Sequence, residues 1–330
     1  MKDLLSLQHL GQDEIDHLLD LADRFGKDGI PEAHPGAFVG GLFFNPSLRT
    51  RTSMEIATRS LGAHFIGMDA GRGTWSLETL DGAVMDGDKT EHIKDAVGKF
   101  LSGAVSCLGV RCFADMDLPY EQARQDPVLS AVAAAAEVPV INLESALFHP
   151  MQGLADQQVV RAHLNGDRTD HTIAITWAYH PKPLPMAVAH TALLGFLRAG
   201  YRVRLAHPEG FDLDPEIMQH ARDEGGERLD VVHNLDEGVR DASVIYAKSW
   251  GAAAAYGPGA DDESLRAPHR DWIIDARRQA LAAPGAFMHC LPVRRNVVVS
   301  DDVIDGPHSW VAEQAHCRIL TAAAVLHEIL

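Results

Sequence analysis

Ser47, Leu48, Arg49, Thr50 and Arg51 follow the apolar run Val39-Gly40-Gly41-Leu42-Phe43-Phe44 and the break Asn45-Pro46. The run reads as a buried strand that the Pro break ends, and Ser47 can cap a helix starting inside Leu48 to Thr52. That layout turns free backbone N–H groups, the Ser47 and Thr50 hydroxyls, and the Arg49 and Arg51 guanidinium groups toward one point. Helix-terminal amides bind anions, and Arg supplies a planar fork matched to phosphate oxygens. The chemistry indicated is phosphate binding at high charge density. A solvated helix start could carry the same string, but the strand and Pro break in front of it favour the site. The motif is not the nucleotide P-loop, which needs Gly-x-x-x-x-Gly-Lys-Ser/Thr, a string this chain lacks.

The elements that must hold this motif alternate along the chain. Ile15, Leu18, Leu19, Ala22 and Phe25 share one face of a helix over residues 12–26, which Gly26 should end. Ile93, Ala96, Val97, Phe100 and Leu101 repeat the pattern. Then come a strand at Cys107 to Val110, a helix near 121–136, and a strand from Val138 to Asn142. After residue 150 the alternation restarts, with strands at Thr172–Trp177, Tyr201–Leu205, Val244–Ala247, Trp272–Asp275 and Ala286–His289. A helix is expected over 185–199, and Ile319, Leu320, Ala323, Leu326 and Ile329 line the last one. The fold class expected is α/β, with two doubly wound parallel-sheet domains in series, split near residue 150.

Ligands of such sheets sit beyond the carboxyl ends of strands. Arg111, Glu144, His149, Gln152, His180, Lys248 and Cys290 all fall just after expected strands. Singly, each is as well explained as a surface cation, a turn residue or core filler. Their shared position is what makes them candidates.

A length of 330 residues allows two buried cores. The net charge of −17, with no basic stripe, argues against nucleic acid as a partner. The start of the chain lacks a signal-like apolar segment, and no stretch approaches the roughly 18 uncharged apolar residues of a membrane span. Four cysteines without zinc spacing look like cytosolic thiols, so a cytoplasmic location and no metal site are expected. No Gly-x-Gly-x-x-Gly follows a strand, and His327-Glu328 lacks the second His of a zinc helix.

Three motifs together resemble one family. Phe43-Phe44-Asn45-Pro46-Ser47-Leu48-Arg49-Thr50-Arg51-Thr52-Ser53, His149-Pro150-Met151-Gln152 and His289-Cys290-Leu291-Pro292 occur in the order found in aspartate and ornithine carbamoyltransferases. Met85-Asp86-Gly87-Asp88, Trp177 to Leu184, Tyr246-Ala247-Lys248-Ser249-Trp250 and Cys290 to Asn296 look like the branch acting on N-acylated ornithine. The Ser-Met-Gly loop of ordinary ornithine carbamoyltransferases is missing. An acylated α-nitrogen carries no positive charge, so an acid placed to meet it would be unpaired. A lysine for the α-carboxylate is the sensible replacement.

The resemblance implies that carbamoyl phosphate binds Ser47, Leu48, Arg49, Thr50, Arg111, His149, Gln152 and Arg318, with Cys290, Leu291 and Trp75 completing the pocket. Arg49, Thr50, Arg111, His149, Gln152 and Cys290 would act on the reacting groups. Trp75 would come from a neighbouring subunit of a homotrimer. The acceptor would meet Thr90, Glu144, His180, Lys248, Leu291 and Arg294. Residues 1–150 would bind carbamoyl phosphate, 151–309 the acylornithine, and the helix of about 310–330 would pack back on the first domain. A backbone knot is implied in the second domain. No cofactor is expected, because carbamoyl phosphate is already an activated donor.

At the position of Thr90 the acetyl branch has Glu and the succinyl branch has Pro, and this chain matches neither. Glu would repel a succinyl carboxylate, whereas Thr is uncharged. Lys89, Val298 and His207-Pro208-Glu209-Gly210 also look succinyl-like, so N-succinyl-L-ornithine is favoured over N-acetyl-L-ornithine. The remaining alternative is a paralogue that binds carbamoyl phosphate without turnover.

Overall fold

The computed structural model of the chain describes residues 2–282 and 284–330. They form two compact units. The first comprises the chain up to Asp115 with Glu121–Leu154 and Arg318–Leu330, and the second comprises Met116–Tyr120 and Ala155–Cys317.

In the first unit, strands β1 (Phe38–Phe43), β2 (His64–Asp69), β3 (Cys107–Arg111) and β4 (Val140–Glu144) form a parallel sheet in the order β2-β1-β3-β4. Its strands alternate between two cores. Val39, Phe43, Cys107, Ile141 and Leu143 face Ile15, Leu18, Ala22, Ala323 and Leu326, whereas Leu42, Leu108, Val110 and Val140 face Val97, Leu129 and Val132. Such burial on both faces is why these strands read as continuous apolar runs. Helix α1 (Gln12–Asp28) therefore shares a core with the end of the C-terminal helix. It runs through Gly26 and stops at Gly29, whose φ of 90° lies outside the helical region.

The segment expected as one helix over 121–136 is two, Tyr120–Ala123 and Pro127–Ala135. Asp126 at φ 53° and the ring of Pro127 interrupt it. Lys94–Leu101 coils as a π-helix, and the strand expected at 138–142 lies two residues later.

In the second unit, β5 (Thr172–Trp177), β6 (Arg202–Ala206), β7 (Leu229–Val232), β8 (Val244–Lys248) and β9 (Ala286–Met288) form a parallel sheet in the order β9-β8-β5-β6-β7. Every residue from Ala187 to Leu197 of the helix Ala187–Arg198 is buried. Trp272–Asp275 is not the strand expected. Ile274 alone bridges to Val299, the Trp272 ring meets Trp177 edge-on, and Asp275 caps the helix Ala276–Leu281. Its apolar character comes from burial, not from sheet pairing. Among the described residues, no helix is long and apolar enough to cross a membrane.

Candidate active site

The strand order of the first sheet reverses between β1 and β3, the place where open α/β sheets leave a crevice beyond their carboxyl ends. Phe43 and Arg111 are register partners there. The break after β1 is held by β3: Phe44 N–H donates to Arg111 O at 2.9 Å, and Phe113 N–H donates to Asn45 Oδ1 at 2.6 Å. Helix α2 (Arg49–Ser60) starts as its sequence suggests, with Ser47 Oγ accepting from Thr50 N–H at 3.2 Å.

Around the α2 start the buried side chains interlock. Thr50 Oγ1 accepts from Arg318 Nη2 at 2.8 Å and from Arg111 Nη1 at 3.3 Å. Arg318 also donates to Gln152 Oε1 and lies 3.3 Å from His149 Nε2. Arg111 pairs with Glu144 at 2.5 Å and stacks on Phe113, and His149 Nε2 is 3.5 Å from Glu144 Oε2. A bulge opposite Val110 and Arg111 brings Glu144 into this pairing, with Glu144 at φ 147°, a conformation L-residues rarely adopt. One part-buried carboxylate thus faces the Arg111 guanidinium and the His149 ring. Arg111 Nε is buried and has no hydrogen-bond partner among the described residues.

Arg51 departs from the expectation that both guanidinium groups share one focus. It pairs with Asp69 at the end of β2 and stacks over Phe43 at 4.2 Å. Residues two apart on a helix diverge by about 200°, so Arg49 and Arg51 could not both face the same point. Gly67 makes room for the Arg51 head, since a Cβ there would sit within the guanidinium's contact distance.

In the second unit, Trp177 and Lys248 are register partners at the carboxyl ends of β5 and β8. Lys248 is buried and donates to Ser249 O at 2.7 Å. Arg294 Nε donates to His180 Nε2 at 2.9 Å, which leaves the neutral ring's proton on Nδ1, facing Lys182 O at 2.7 Å. Burial pushes the His180 pKa down, and the Arg294, Lys248 and Arg266 cations push the same way. This corner is a neutral imidazole among three cations, suited to a carboxylate or an acyl oxygen. His289-Cys290-Leu291 forms a turn just past β9, closed by Leu291 N–H donating to His289 Nδ1 at 2.8 Å. Cys290 is half-exposed, whereas Cys107, Cys112 and Cys317 are buried, with burial raising the Cys107 thiol to about 12.

Leu48, Trp75 and Thr90 lie at the surface among the described residues. Leu48 is 73% exposed, Trp75 is 63% exposed in the loop after β2, and Thr90 is exposed, with its N–H donating to Ser76 O at 3.3 Å. Other contributors carried no motif. Asp126 accepts from Ser145 Oγ at 2.5 Å and Ala146 N–H at 2.7 Å, fixing the loop that leads to His149. Asp156, Tyr246 and Gln314 form a buried chain ending on His289.

Among the described residues no group of three or more His, Cys, Asp or Glu could hold a metal ion. Residues 2–162 match the family model for the aspartate/ornithine carbamoyltransferase carbamoyl-P binding domain, and residues 185–329 match that for the Asp/Orn binding domain. The chain is 37% identical to N-acetylornithine carbamoyltransferase of Xanthomonas campestris pv. campestris, over 99% of this chain and 97% of that one. It is 36% identical to N-succinylornithine carbamoyltransferase of Bacteroides fragilis, over 88% of this chain and 86% of the other. Its structure is similar to that of acetylornithine transcarbamylase complexed with acetylcitrulline, with TM-score 0.96, 36% identity, and coverage of 100% and 99% of the two chains. A glutamate-to-proline mutant of N-acetyl-L-ornithine transcarbamylase, complexed with carbamyl phosphate and N-succinyl-L-norvaline, matches with TM-score 0.94, 36% identity and 100% of both chains.

Proposed function

Because the chain belongs to the aspartate/ornithine carbamoyltransferase family, we propose that it transfers the carbamoyl group of carbamoyl phosphate to the δ-amine of an N-acylated ornithine in arginine biosynthesis, with N-succinyl-L-ornithine as the preferred acceptor. The observation that carries the donor half is the convergence of Arg111 and Arg318 on Thr50 at the start of α2.

Phosphate gains charge as it leaves, so cations and amides fixed in advance stabilise the transition state more than the ground state. Arg49, Arg318 and the α2 amides are assigned to phosphate. Arg111, whose buried Nε has no hydrogen-bond partner among the described residues, is assigned with the Thr50 hydroxyl and His149 to the carbonyl oxygen. The attacking amine, with a pKa of about 10.4, is neutral in roughly one molecule in two thousand at pH 7, a cost of about 4 to 5 kcal/mol. A site dense in cations disfavours the ammonium form and reduces that cost. A phosphate oxygen, or Cys290 in its thiolate form, takes the proton.

His180, Arg294 and Lys248 are assigned to the acyl and α-carboxylate groups of the acceptor. Two observations favour the succinyl acceptor. Thr90 places no negative charge where the acetyl branch has Glu, and a relative in which a glutamate was replaced carries a succinyl ligand. Acetylornithine is the second reading, supported by the names of the more similar relatives. Exposed Trp75, Leu80, Val84 and Met85 support self-association, which we assign as a homotrimer in which Trp75 completes a neighbour's site. Cytoplasmic location and a threaded backbone in the second unit are part of the same reading. The donor assignment is tested by Arg49→Ala, which should lose several kcal/mol of transition-state stabilisation. A near-wild-type rate would remove the α2 start from the phosphate site.

A further inference from the structure

His289 N–H donates to Gln314 Oε1 at 3.0 Å, Gln314 Nε2 donates to Asp156 Oδ1 at 2.6 Å, and Tyr246 Oη donates to Asp156 Oδ2 at 2.9 Å. Asp156, Gln314 and His289 are buried, Tyr246 is fully enclosed, and the Tyr246 hydroxyl is within hydrogen-bonding reach of Cys290. The direction of each bond follows from the first. A backbone N–H can only donate, so the Gln314 carbonyl must face His289, and its NH2 must face Asp156. Asp156 then accepts from both partners, and the Tyr246 proton is committed to it. What remains toward Cys290 is the lone pairs of the phenolic oxygen.

We propose that Asp156 is a positioning residue for Cys290: through Gln314 it holds the backbone of the Cys290 turn, and through Tyr246 it makes the phenol an acceptor toward the thiol. The Cys290 S–H is thereby pointed at Tyr246, and the turn is fixed at both its backbone and its side chain. A half-satisfied polar network is costly in a low-dielectric interior, so the three side chains act as one unit. This inference rests on the reading of Cys290 as a group at the carbamoyl-transfer site, but its physical content concerns the thiol alone.

Asp156→Asn tests it with little change of shape. Gln314 cannot turn over, so the Asn oxygen must face Gln314 and the Asn NH2 must face Tyr246. Tyr246 then accepts from Asn and donates to the Cys290 sulfur, reversing the bond and favouring the thiolate. The measurement is alkylation of Cys290 by iodoacetamide against pH in the full chain, read by mass spectrometry. The expected result is a midpoint lowered by at least about half a pH unit in Asp156→Asn. In Tyr246→Phe, which keeps the ring and removes the relay, adding Asp156→Asn should move the midpoint no further. An unchanged midpoint in Asp156→Asn, or an equal shift with Phe at 246, would overturn the proposal. Should Asp156→Asn fail to fold, Tyr246→Phe alone must still shift the wild-type midpoint, and no shift would overturn the proposal. Carbamoyl transfer is followed in parallel. An inactive wild-type protein would refute the functional reading while leaving the thiol result intact, and a normal thiol profile in an active enzyme would refute only the relay.

Discussion

Arg318 Nη2 donates to Thr50 Oγ1 at 2.8 Å, across 268 residues of chain. The same guanidinium donates to Gln152, so one cation from the C-terminal helix ties the α2 start to the His149-Pro150-Met151-Gln152 segment. The two contacts come from different nitrogens, Nη1 and Nη2, and a lysine offers one nitrogen in place of that planar fork. Arg318→Lys should therefore lower kcat/KM for carbamoyl phosphate by roughly 10²-fold, measured by steady-state kinetics with the acceptor saturating. A change below about threefold would show that the fork is dispensable.

The Arg111–Glu144 pair joins a buried guanidinium to a carboxylate that is only 12% exposed, and removing one partner leaves the other charge without its counter-ion. Glu144→Ala should lower the unfolding free energy by about 3 kcal/mol, read from urea denaturation at pH 7.5. The φ of 147° at Glu144 makes Glu144→Gly an informative companion, since Gly adopts that backbone without strain. It should be less destabilising than the alanine variant.

Much of this site was legible in the sequence, and the reasons differ by residue. The strand, Pro break and capped helix of Phe38 to Ser60 follow local rules, and the structure obeys them. Arg51 was misplaced because a motif lists side chains without the rotation of about 100° per residue that separates them on a helix. The 121–136 helix failed at Asp126-Pro127, a break that the sequence itself spells out and the apolar pattern concealed. Trp272 to Asp275 failed because burial of a loop imitates the signature of a strand. Asp156 and Gln314 were invisible because their partners, Tyr246 and His289, lie 90 and 25 residues away.

Thr90 bears on the choice of acceptor. Thr90→Glu should lower kcat/KM with N-succinyl-L-ornithine and raise it with N-acetyl-L-ornithine, as expected for a carboxylate repelling a second carboxylate. Thr90 is exposed, so the fold should tolerate the change. An unchanged ratio of the two kcat/KM values would remove this residue from the selection.

Stability should fall on acidification. His180, His207 and His34 all have pKa values depressed chiefly by burial. A histidine depressed in the fold is protonated first in the unfolded chain, so its contribution is present above the unfolded value of about 6.5 and is lost as pH falls below it. Urea midpoints should be level from pH 8 to 7 and decline from about 6.5 to 5.5. His207→Gln should flatten part of that decline, since His207 is the most buried of the three.

The central claim is acyl-selective carbamoyl transfer, and one parallel assay tests it most directly. Purified protein is given carbamoyl phosphate with ornithine, N-acetyl-L-ornithine or N-succinyl-L-ornithine, and ureido product is quantified. Product is expected with the acylated amines, greatest with N-succinyl-L-ornithine, and little with free ornithine. Turnover of free ornithine as fast as either acylated form, or no ureido product from any acceptor, would contradict it.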